Sequence, residues 1–246
     1  MDRDNPLWGR LIKKVVSGGR HGVERAALDA AIANDIPHGG YRTKADDARG
    51  EYQLVETAGA DLQAVQRENV RSADVAVVIT RGSHGDLCDV IERLAEDNEK
   101  SFLHVDLDTL GERTGVASSQ LKQLMLRPIP GHPMQDASAV FVTGSSESEA
   151  PGIEDEVRRL LARSLRDPDT IDEAADKLLW EMPDEILAQL REMSEDRLGK
   201  AHFGLGMYVR NAYGLFRPTC PLTQGYDSDP DTVSEEILHA AWQRLR

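Results

Sequence analysis

The sequence predicts an α/β domain with a doubly wound parallel sheet, followed by a small all-helical C-terminal domain. As far as about residue 166, short apolar or β-branched runs alternate with segments of helical periodicity, which favours parallel strands with helices on both faces. Beyond the polar junction Arg166-Asp167-Pro168-Asp169 no convincing strand follows. We therefore expect an N-terminal extension over residues 1–11, an α/β domain over residues 12–166 and a helical domain over residues 168–246.

The strands of the first domain are predicted from runs of apolar and β-branched residues. The run at residues 75–80 is uninterrupted, which is typical of a strand buried on both faces. Residues 36–40, Ile-Pro-His-Gly-Gly, are expected to form a turn, and the stretch that leads to residue 135 contains three prolines and is expected to be irregular. The predicted strands are residues 13–16, 52–55, 75–80, 102–107 and 139–143.

The helices are predicted from apolar residues that recur at helical spacing and from helix-start signals. In the second domain, residues 170–173 and residues 232–235 both read Thr-x-x-Glu, which is the spacing of a capping box and predicts two helix starts. The predicted helices of the first domain are residues 23–34, 61–72, 87–96, 118–126 and 153–165.

The composition excludes several classes of function. Acidic residues outnumber basic ones by 43 to 29, for a formal net charge of −14. Nucleic acid is therefore not an expected partner, because phosphate neutralisation by Lys and Arg supplies most non-specific binding. The apolar runs are strand-length, so no membrane helix is expected. Cys88 and Cys220 lack metal-site or redox spacing and are expected to be free buried thiols of a cytoplasmic protein.

Three glycine-bearing turns follow predicted strands. In open α/β sheets ligands bind where parallel strands end, and helix N-termini and free backbone N–H groups favour anions. The three turns therefore predict one shared cleft for a small anionic ligand. The candidate ligand-binding residues are Ser17, Gly18, Gly19, Arg20, His21 and Gly22 of the first turn, Arg81, Gly82, Ser83, His84 and Gly85 of the second, and Gly144, Ser145, Ser146 and Glu147 of the third.

These turns are open to a plainer interpretation, in which the glycines serve only backbone torsions. His21 and His84 lack neighbouring ligands at helical metal spacing, so we expect polar loop residues and no metal site. No nucleophile elbow or other catalytic set can be identified. The catalytic residues are therefore unknown, and a non-catalytic protein is expected over an enzyme.

The first domain resembles the molybdenum-carrier family of the Rossmann-like SLOG superfamily. Residues 16–29, Val-Ser-Gly-Gly-Arg-His-Gly-Val-Glu-Arg-Ala-Ala-Leu-Asp, are similar to the family opening SGGQTGVDRAALD. Further similar positions are residues 36–40, Asn69-Val70 with residues 72–74, and residues 146–153. The resemblance covers about residues 12–166. It implies a Rossmann-like fold and a nucleotide or nucleotide-derived ligand.

The resemblance also implies a candidate cofactor. Some family members carry molybdenum cofactor, a phosphate-bearing pterin, so molybdenum cofactor or a nucleotide is the expected ligand. This chain departs from the family pattern at Arg20-His21, where the family has Gln-Thr, and at His84-Gly85-Asp86, where it commonly has Gly-Gly-Thr. The first departure adds positive charge to the turn, and the second adds a carboxylate.

The second domain resembles a domain of unknown function, DUF6794, through residues 193–215. That resemblance implies no activity. Its polar members His202, Arg210 and Asn211 are expected to form a buried network that locks helix packing.

Three hypotheses follow for the whole chain. The first is a non-catalytic carrier or sensor that binds a phosphate-bearing nucleotide or pterin at the three turns. The second is an enzyme that cleaves the N-glycosidic bond of a nucleotide, with Glu92, or Glu24 and Arg25, as its candidate groups. The third is an interaction protein whose helical domain binds a protein partner. A homo-oligomer is compatible with all three.

Overall fold

The protein is described here from a computed structural model, which divides into two units, Ile12–Arg166 and Asp167–Arg246. Of the extension expected over residues 1–11, residues 1–10 lie outside the described part. For residues 128–129 and 132–136 only the backbone is described. The described residues are 11–46, 50–57, 61–82, 85–126, 128–129, 132–136, 139–198, 204–217, 220–224 and 229–246.

The first unit is built on a parallel sheet of six strands. Their order across the sheet is β3-β2-β1-β8-β4-β5, with every neighbouring pair parallel. The strands are β1 (Lys14–Val16), β2 (His38–Arg42), β3 (Leu54–Glu56), β4 (Val75–Thr80), β5 (Ser101–Asp106) and β8 (Ala139–Gly144).

Helices connect these strands and cover the sheet. All six residues of β4 are buried, as expected for a strand covered on both faces. The predicted α/β fold is confirmed. The helices are α1 (Val23–Ala33), α2 (Leu62–Arg71), α3 (Gly85–Asp97), α4 (Leu107–Leu110), α5 (Gly115–Met125) and α6 (Ile153–Leu165). Helix α1 contacts β1, β2 and β8 and packs on α6. Helix α2 contacts β2, helix α3 contacts β4 and β5, and these two helices contact each other.

The turn predicted at residues 36–40 is wrong, because most of it lies in β2. Gly39 and Gly40 suggested a turn, but both are needed for close strand packing. A Cβ atom on Gly39 would lie 2.5 Å from the carbonyl oxygen of Gln53, and one on Gly40 would lie 2.8 Å from the Asn69 side-chain oxygen. Glycine in a strand often marks such a close approach of backbone.

The expectation of an irregular segment before residue 135 is also wrong in part. Strands β6 (Pro128–Ile129) and β7 (His132–Asp136) form a separate antiparallel pair. Its pairing is irregular between Pro128 and Ile129. Proline cannot donate to a strand partner and is therefore confined to the edges and bulges of sheets. The three prolines argued for an irregular segment, but they are compatible with a short, irregular strand pair.

Buried Asn69 holds the end of β2 in place. It is 1% exposed, its side-chain oxygen accepts from the Tyr41 amide at 2.7 Å, and its side-chain nitrogen donates to the Tyr41 carbonyl at 3.0 Å. The amide side chain therefore acts as one more strand partner for the backbone. This clamp aligns β2 beside β1, where the first glycine turn begins.

The second unit is helical throughout its described part. Its core contains Leu178 of α7, Val209 of α10 and Ile237 of α12. The thiols of Cys88 and Cys220 are free and buried, as predicted. The helices are α7 (Ile171–Glu181), α8 (Asp184–Glu192), α9 (Glu195–Leu198), α10 (Leu205–Ala212), α11 (Pro221–Gln224) and α12 (Pro230–Arg244).

Of the two helix starts predicted from capping-box spacing, the one at Thr170 is confirmed and the one at Thr232 is wrong. Thr170 caps α7, with its hydroxyl accepting from the Glu173 amide at 3.1 Å. Helix α12 instead begins at Pro230, with Asp229 as its N-cap. The N-cap therefore lies three residues earlier than predicted, and Pro230 follows it because proline is favoured in the first helical turn.

A partly buried ion pair holds the start of the second unit. The Arg217 side chain is 5% exposed and donates to the Asp167 carboxylate at 2.8 Å. The same guanidinium donates to the carbonyl oxygens of Gly214 and Tyr213.

Of the polar residues expected to form a network, Arg210 is buried and donates to Ser234, Asn211 is exposed, and His202 lies outside the described residues.

No helix in the described residues combines the length and the hydropathy that crossing a membrane requires.

Candidate functional site

The structure brings the three predicted turns together at the carboxyl edge of the sheet. Strand β8 lies between β1 and β4, so the turns that follow these strands are neighbours. Gly22 of the first turn forms an isolated bridge with Ser146 of the third. The Arg81 amide donates to the Ser145 hydroxyl at 3.4 Å, which joins the second turn to the third.

This edge is also where the strand order reverses. From β1 the chain adds β2 and β3 on one side, then moves to β4 and β5 on the other. Open α/β sheets bind ligands at such a switch point, beyond the carboxyl ends of the strands. The topology therefore places the predicted turns where a ligand site is expected.

Glycines at the turns are required by packing. Gly22 has φ +104°, and a Cβ atom there would lie 2.6 Å from the Ser145 carbonyl oxygen and 2.7 Å from the Glu147 amide nitrogen. Gly144, with φ +157°, lies against the backbone of Ile79 in β4. These two glycines let the first and third turns and the β4–β8 pair approach closely, so torsions and packing explain them without a ligand.

The backbone amides of the first turn fall into two groups. The Arg20 amide donates to the Glu24 carboxylate at 3.2 Å, and the Gly22 amide donates to the Glu154 carboxylate at 2.9 Å. The amides of Gly18, Gly19 and His21 have no acceptor among the described residues. Gly18 and Gly19 are buried, and buried backbone N–H groups are rarely left without a partner.

Arg20 and Glu24 form the ion pair of the first turn. Arg20 donates from Nε at 3.1 Å and from its terminal nitrogen at 2.6 Å to the two Glu24 oxygens. The Thr143 hydroxyl at the end of β8 donates to Glu24 at 2.8 Å. Burial alone lowers the pKa of Arg20, but its hydrogen bond and charge attraction to Glu24 outweigh burial and raise that pKa above its ordinary value. Arg20 therefore stays charged.

The second turn is described only at its ends. The Arg81 guanidinium pairs with Glu156 of α6 and, at 3.4 Å, with Asp108 of α4. Its charge is thus already compensated. Gly82 has φ +75° with open space around it, and Gly85 is the first residue of α3. Ser83 and His84 lie outside the described residues.

Carboxylates of the chain also occupy the third turn. The Ser146 amide and hydroxyl both donate to Glu149, at 2.8 and 2.9 Å. Glu147 accepts from the amides of Gly152 and Glu154, at 2.5 and 3.0 Å. Ser145 is buried, and its amide donates to the carbonyl oxygen of Ile79. The donors of the third turn are thus already bound by acceptors of the chain itself, so this turn forms one side of the candidate site.

His21 is an exposed polar residue, with a side chain 60% exposed. Its ring lies 3.4 Å from a Glu154 oxygen and within 2.9 Å of the Arg25 guanidinium. Within the described part of the chain, no three His, Cys, Asp or Glu residues are placed to hold a metal ion.

Sequence reasoning missed the residues that hold the turns. Glu24 lies four positions after Arg20, which is a recognisable helical ion-pair spacing. Glu154 and Thr143 reach the first turn from 132 and 119 positions away, so no local pattern could reveal them.

The pKa of Glu149 is lowered, first by the Ser146 amide, then by the Ser146 hydroxyl, with a smaller contribution from Arg20. A carboxylate with a lowered pKa in the folded state adds stability above its unfolded pKa of about 4.3, and this is lost as pH falls through the folded pKa. We expect Glu149→Gln to lower the free energy of unfolding at pH 7, measured by urea denaturation, by under about 1 kcal/mol, because the group is exposed. At pH 3 the difference from wild type shrinks. An equal deficit at both pH values would contradict this.

Comparison with known proteins gives a family for each part of the chain. A model of the Circularly permutated YpsA SLOG family matches residues 15–165, and a model of a domain of unknown function, DUF6794, matches residues 167–245. No curated protein matches the chain.

A solved structure is similar to the first unit. It is the crystal structure of the Putative molybdenum carrier protein from Syntrophus aciditrophicus SB, with 27% sequence identity and a TM-score of 0.53 over 62% of this chain and 94% of that chain. The resemblances inferred from the residues are thus confirmed, and the fold agrees with that of the neighbour. The chain belongs to the Circularly permutated YpsA SLOG family.

Proposed function

We propose that the protein is a non-catalytic carrier or sensor for a phosphate-bearing nucleotide or pterin, bound at the first glycine turn. The buried amides of Gly18 and Gly19 carry this proposal, because they have no acceptor among the described residues. They lie at the switch point of the sheet, and the exposed His21 amide follows them. Neighbouring N–H groups in a glycine turn that precedes a helix are suited to phosphate oxygens.

The residues fit the phosphate part of a molybdenum cofactor-like ligand. Amides of the first turn would hold the phosphate, and Arg20 lies beside them. The metal itself finds no ligand set in the described residues. A bound pterin would supply the metal-carrying group, and this chain would bind and orient it. The similarity to the Putative molybdenum carrier protein supports this class of ligand over an arbitrary anion.

A thermal-shift panel of nucleoside phosphates, phosphorylated pterins and molybdenum cofactor extract tests the proposal. We expect at least one organic phosphate to raise Tm, since a ligand that binds only the folded state stabilises it. Amide chemical-shift changes on adding that ligand should centre on Gly18, Gly19 and His21. Gly111, which follows α4 and has no atom within 4 Å of an added Cβ, serves as the unperturbed control. The proposal fails if no compound of the panel raises Tm or moves the turn amides.

A second candidate is cleavage of a nucleotide N-glycosidic bond. The Arg20–Glu24 pair at the turn favours it, because such chemistry needs an acid–base group beside a phosphate-holding cation. Incubation with nucleoside monophosphates and assay for free base tests it. Free base that disappears in Glu24→Gln but persists in Glu92→Gln, whose exposed site lies on α3, would identify Glu24 as the group. Absence of free base with the wild-type protein rejects the enzyme.

A further inference from the structure

We propose that Glu24 is a specificity-determining residue, which keeps small free anions such as inorganic phosphate out of the first glycine turn. Only a phosphate with an organic part that adds further contacts would then bind. This inference rests on the proposed function, because it concerns the same turn. It assigns a role to a carboxylate that would otherwise only oppose an anionic ligand.

Glu24 already makes the contacts that a bound oxyanion would make. One oxygen accepts from the Arg20 amide at 3.2 Å and from Arg20 Nε at 3.1 Å. The other accepts from the terminal Arg20 nitrogen at 2.6 Å and from the Thr143 hydroxyl at 2.8 Å. The carboxylate thus has four donors from a backbone amide, a guanidinium and a hydroxyl. An incoming free phosphate must compete with a covalently attached anion for them.

The turn is shaped around this carboxylate. Glu24 is 5% exposed, and its position requires a glycine nearby. A Cβ atom on Gly18 would lie 2.6 Å from the Glu24 oxygen, well inside ordinary contact distance. Gly18 needs no positive φ, so room for the Glu24 carboxylate is the reason the structure offers for this glycine.

The charges around Arg20 also oppose a free anion. Three carboxylates, those of Glu24, Asp46 and Glu149, act on the Arg20 guanidinium. These carboxylates already compensate the positive charge of Arg20. A small anion therefore gains little from Coulomb attraction at this turn, although the guanidinium remains charged.

The remaining donors decide what can bind. Glu24 does not accept from the amides of Gly18, Gly19 and His21, and these amides have no acceptor in the described residues. They offer hydrogen bonds without the charge of Arg20. A phosphate that uses them alone binds weakly, and the nucleoside or pterin attached to it must supply the rest of the free energy. Because the amides alone bind phosphate weakly, the turn selects ligands in which the phosphate carries an organic part.

Full-length Glu24→Ala tests the inference, with inorganic phosphate as the probe. We expect its apparent Kd for phosphate to be at least about tenfold lower than that of wild type, because one opposing unit charge is gone and Arg20 is released. Glu96→Ala is the matched control, since Glu96 is exposed near the far end of α3. The double variant Arg20→Ala/Glu24→Ala should lose the gain. Glu24→Gln, which keeps the side-chain volume, replaces Glu24→Ala if the latter fails to fold.

The inference is overturned if wild type binds phosphate as tightly as the Glu24 variants, if neither variant binds it, or if the double variant keeps the gain. The proposed function fails separately, when no organic phosphate raises the Tm of wild type. If wild type binds an organic phosphate but the Glu24 variants gain no affinity for inorganic phosphate, Glu24 has no role in selection. The proposed carrier or sensor function would still stand.

Discussion

Gly144→Ala should destroy the fold of the α/β unit or destabilise it by at least about 4 kcal/mol. A Cβ atom on residue 144 would lie 2.7 Å from the carbonyl carbon of Ile79 and closer still to its oxygen. Both partners of this clash are backbone, so no side chain can move aside. Separation of β8 from β4 would be required, and the hydrogen bond from the Ser145 amide to the Ile79 carbonyl would be lost.

The matched control is Gly111→Ala. Gly111 also has a positive φ, +52°, but no atom lies within 4 Å of the added Cβ. The control therefore bears only the torsional cost, about 1–2 kcal/mol. Soluble yield and urea denaturation compare the two variants. A Gly144→Ala protein that unfolds within about 1 kcal/mol of the control would contradict the packing that places the third turn.

Arg217→Ala should destabilise the helical unit by about 2 kcal/mol, below the range for breaking a fully buried ion pair, because the Asp167 carboxylate left behind is partly exposed. The arginine side chain is 5% exposed and its Asp167 partner 27%. The substitution also removes donors from the Tyr213 and Gly214 carbonyl oxygens. Loss of packing adds to loss of charge, because the guanidinium lies against Gly214.

Arg197→Ala supplies the control for that variant. It removes the same charge from an exposed position on α9, and exposed substitutions change stability by about 0.5 kcal/mol or less. Denaturation followed by tryptophan fluorescence reports the transition, because Trp180 and Trp242 lie among the described residues of this unit. Equal midpoints for Arg197→Ala and Arg217→Ala would show that the partly buried ion pair contributes no net stability.

Local patterns in the sequence were sufficient for most of the elements. Helix α1 and strand β4 agree within a residue or two with the periodic runs that predict them. Strand β2 was missed because Gly39 and Gly40 also occur in turns, and their need for close backbone contact exists only after β1 and β3 are in place. Strand order could not be predicted either, because a run of β-branched residues does not show which strands will pair with it.

The proximity of the three turns was predicted, but the contacts within them were missed. The rule that parallel strands end at one edge places the turns after β1, β4 and β8 together, and Gly22 does contact Ser146. The sequence could not show that Glu24 and Glu154 accept two of the turn amides. The Glu154 contact depends on how α1 and α6 pack, because its two residues lie 132 positions apart. The Glu24 contact has only a spacing of four positions as its signal.

The position of β8 has a consequence for synthesis on the ribosome. Its residues pair with β1, and the Ser17 hydroxyl bonds to Val142 across 125 positions of chain. Until residue 144 has emerged, β1–β2–β3 and β4–β5 remain two half-sheets with unpaired inner edges. Such edges pair readily with other chains, and contacts of high sequence separation form slowly. Nascent chains that stall before residue 139 should therefore depend on chaperones, and those that pass residue 144 should not.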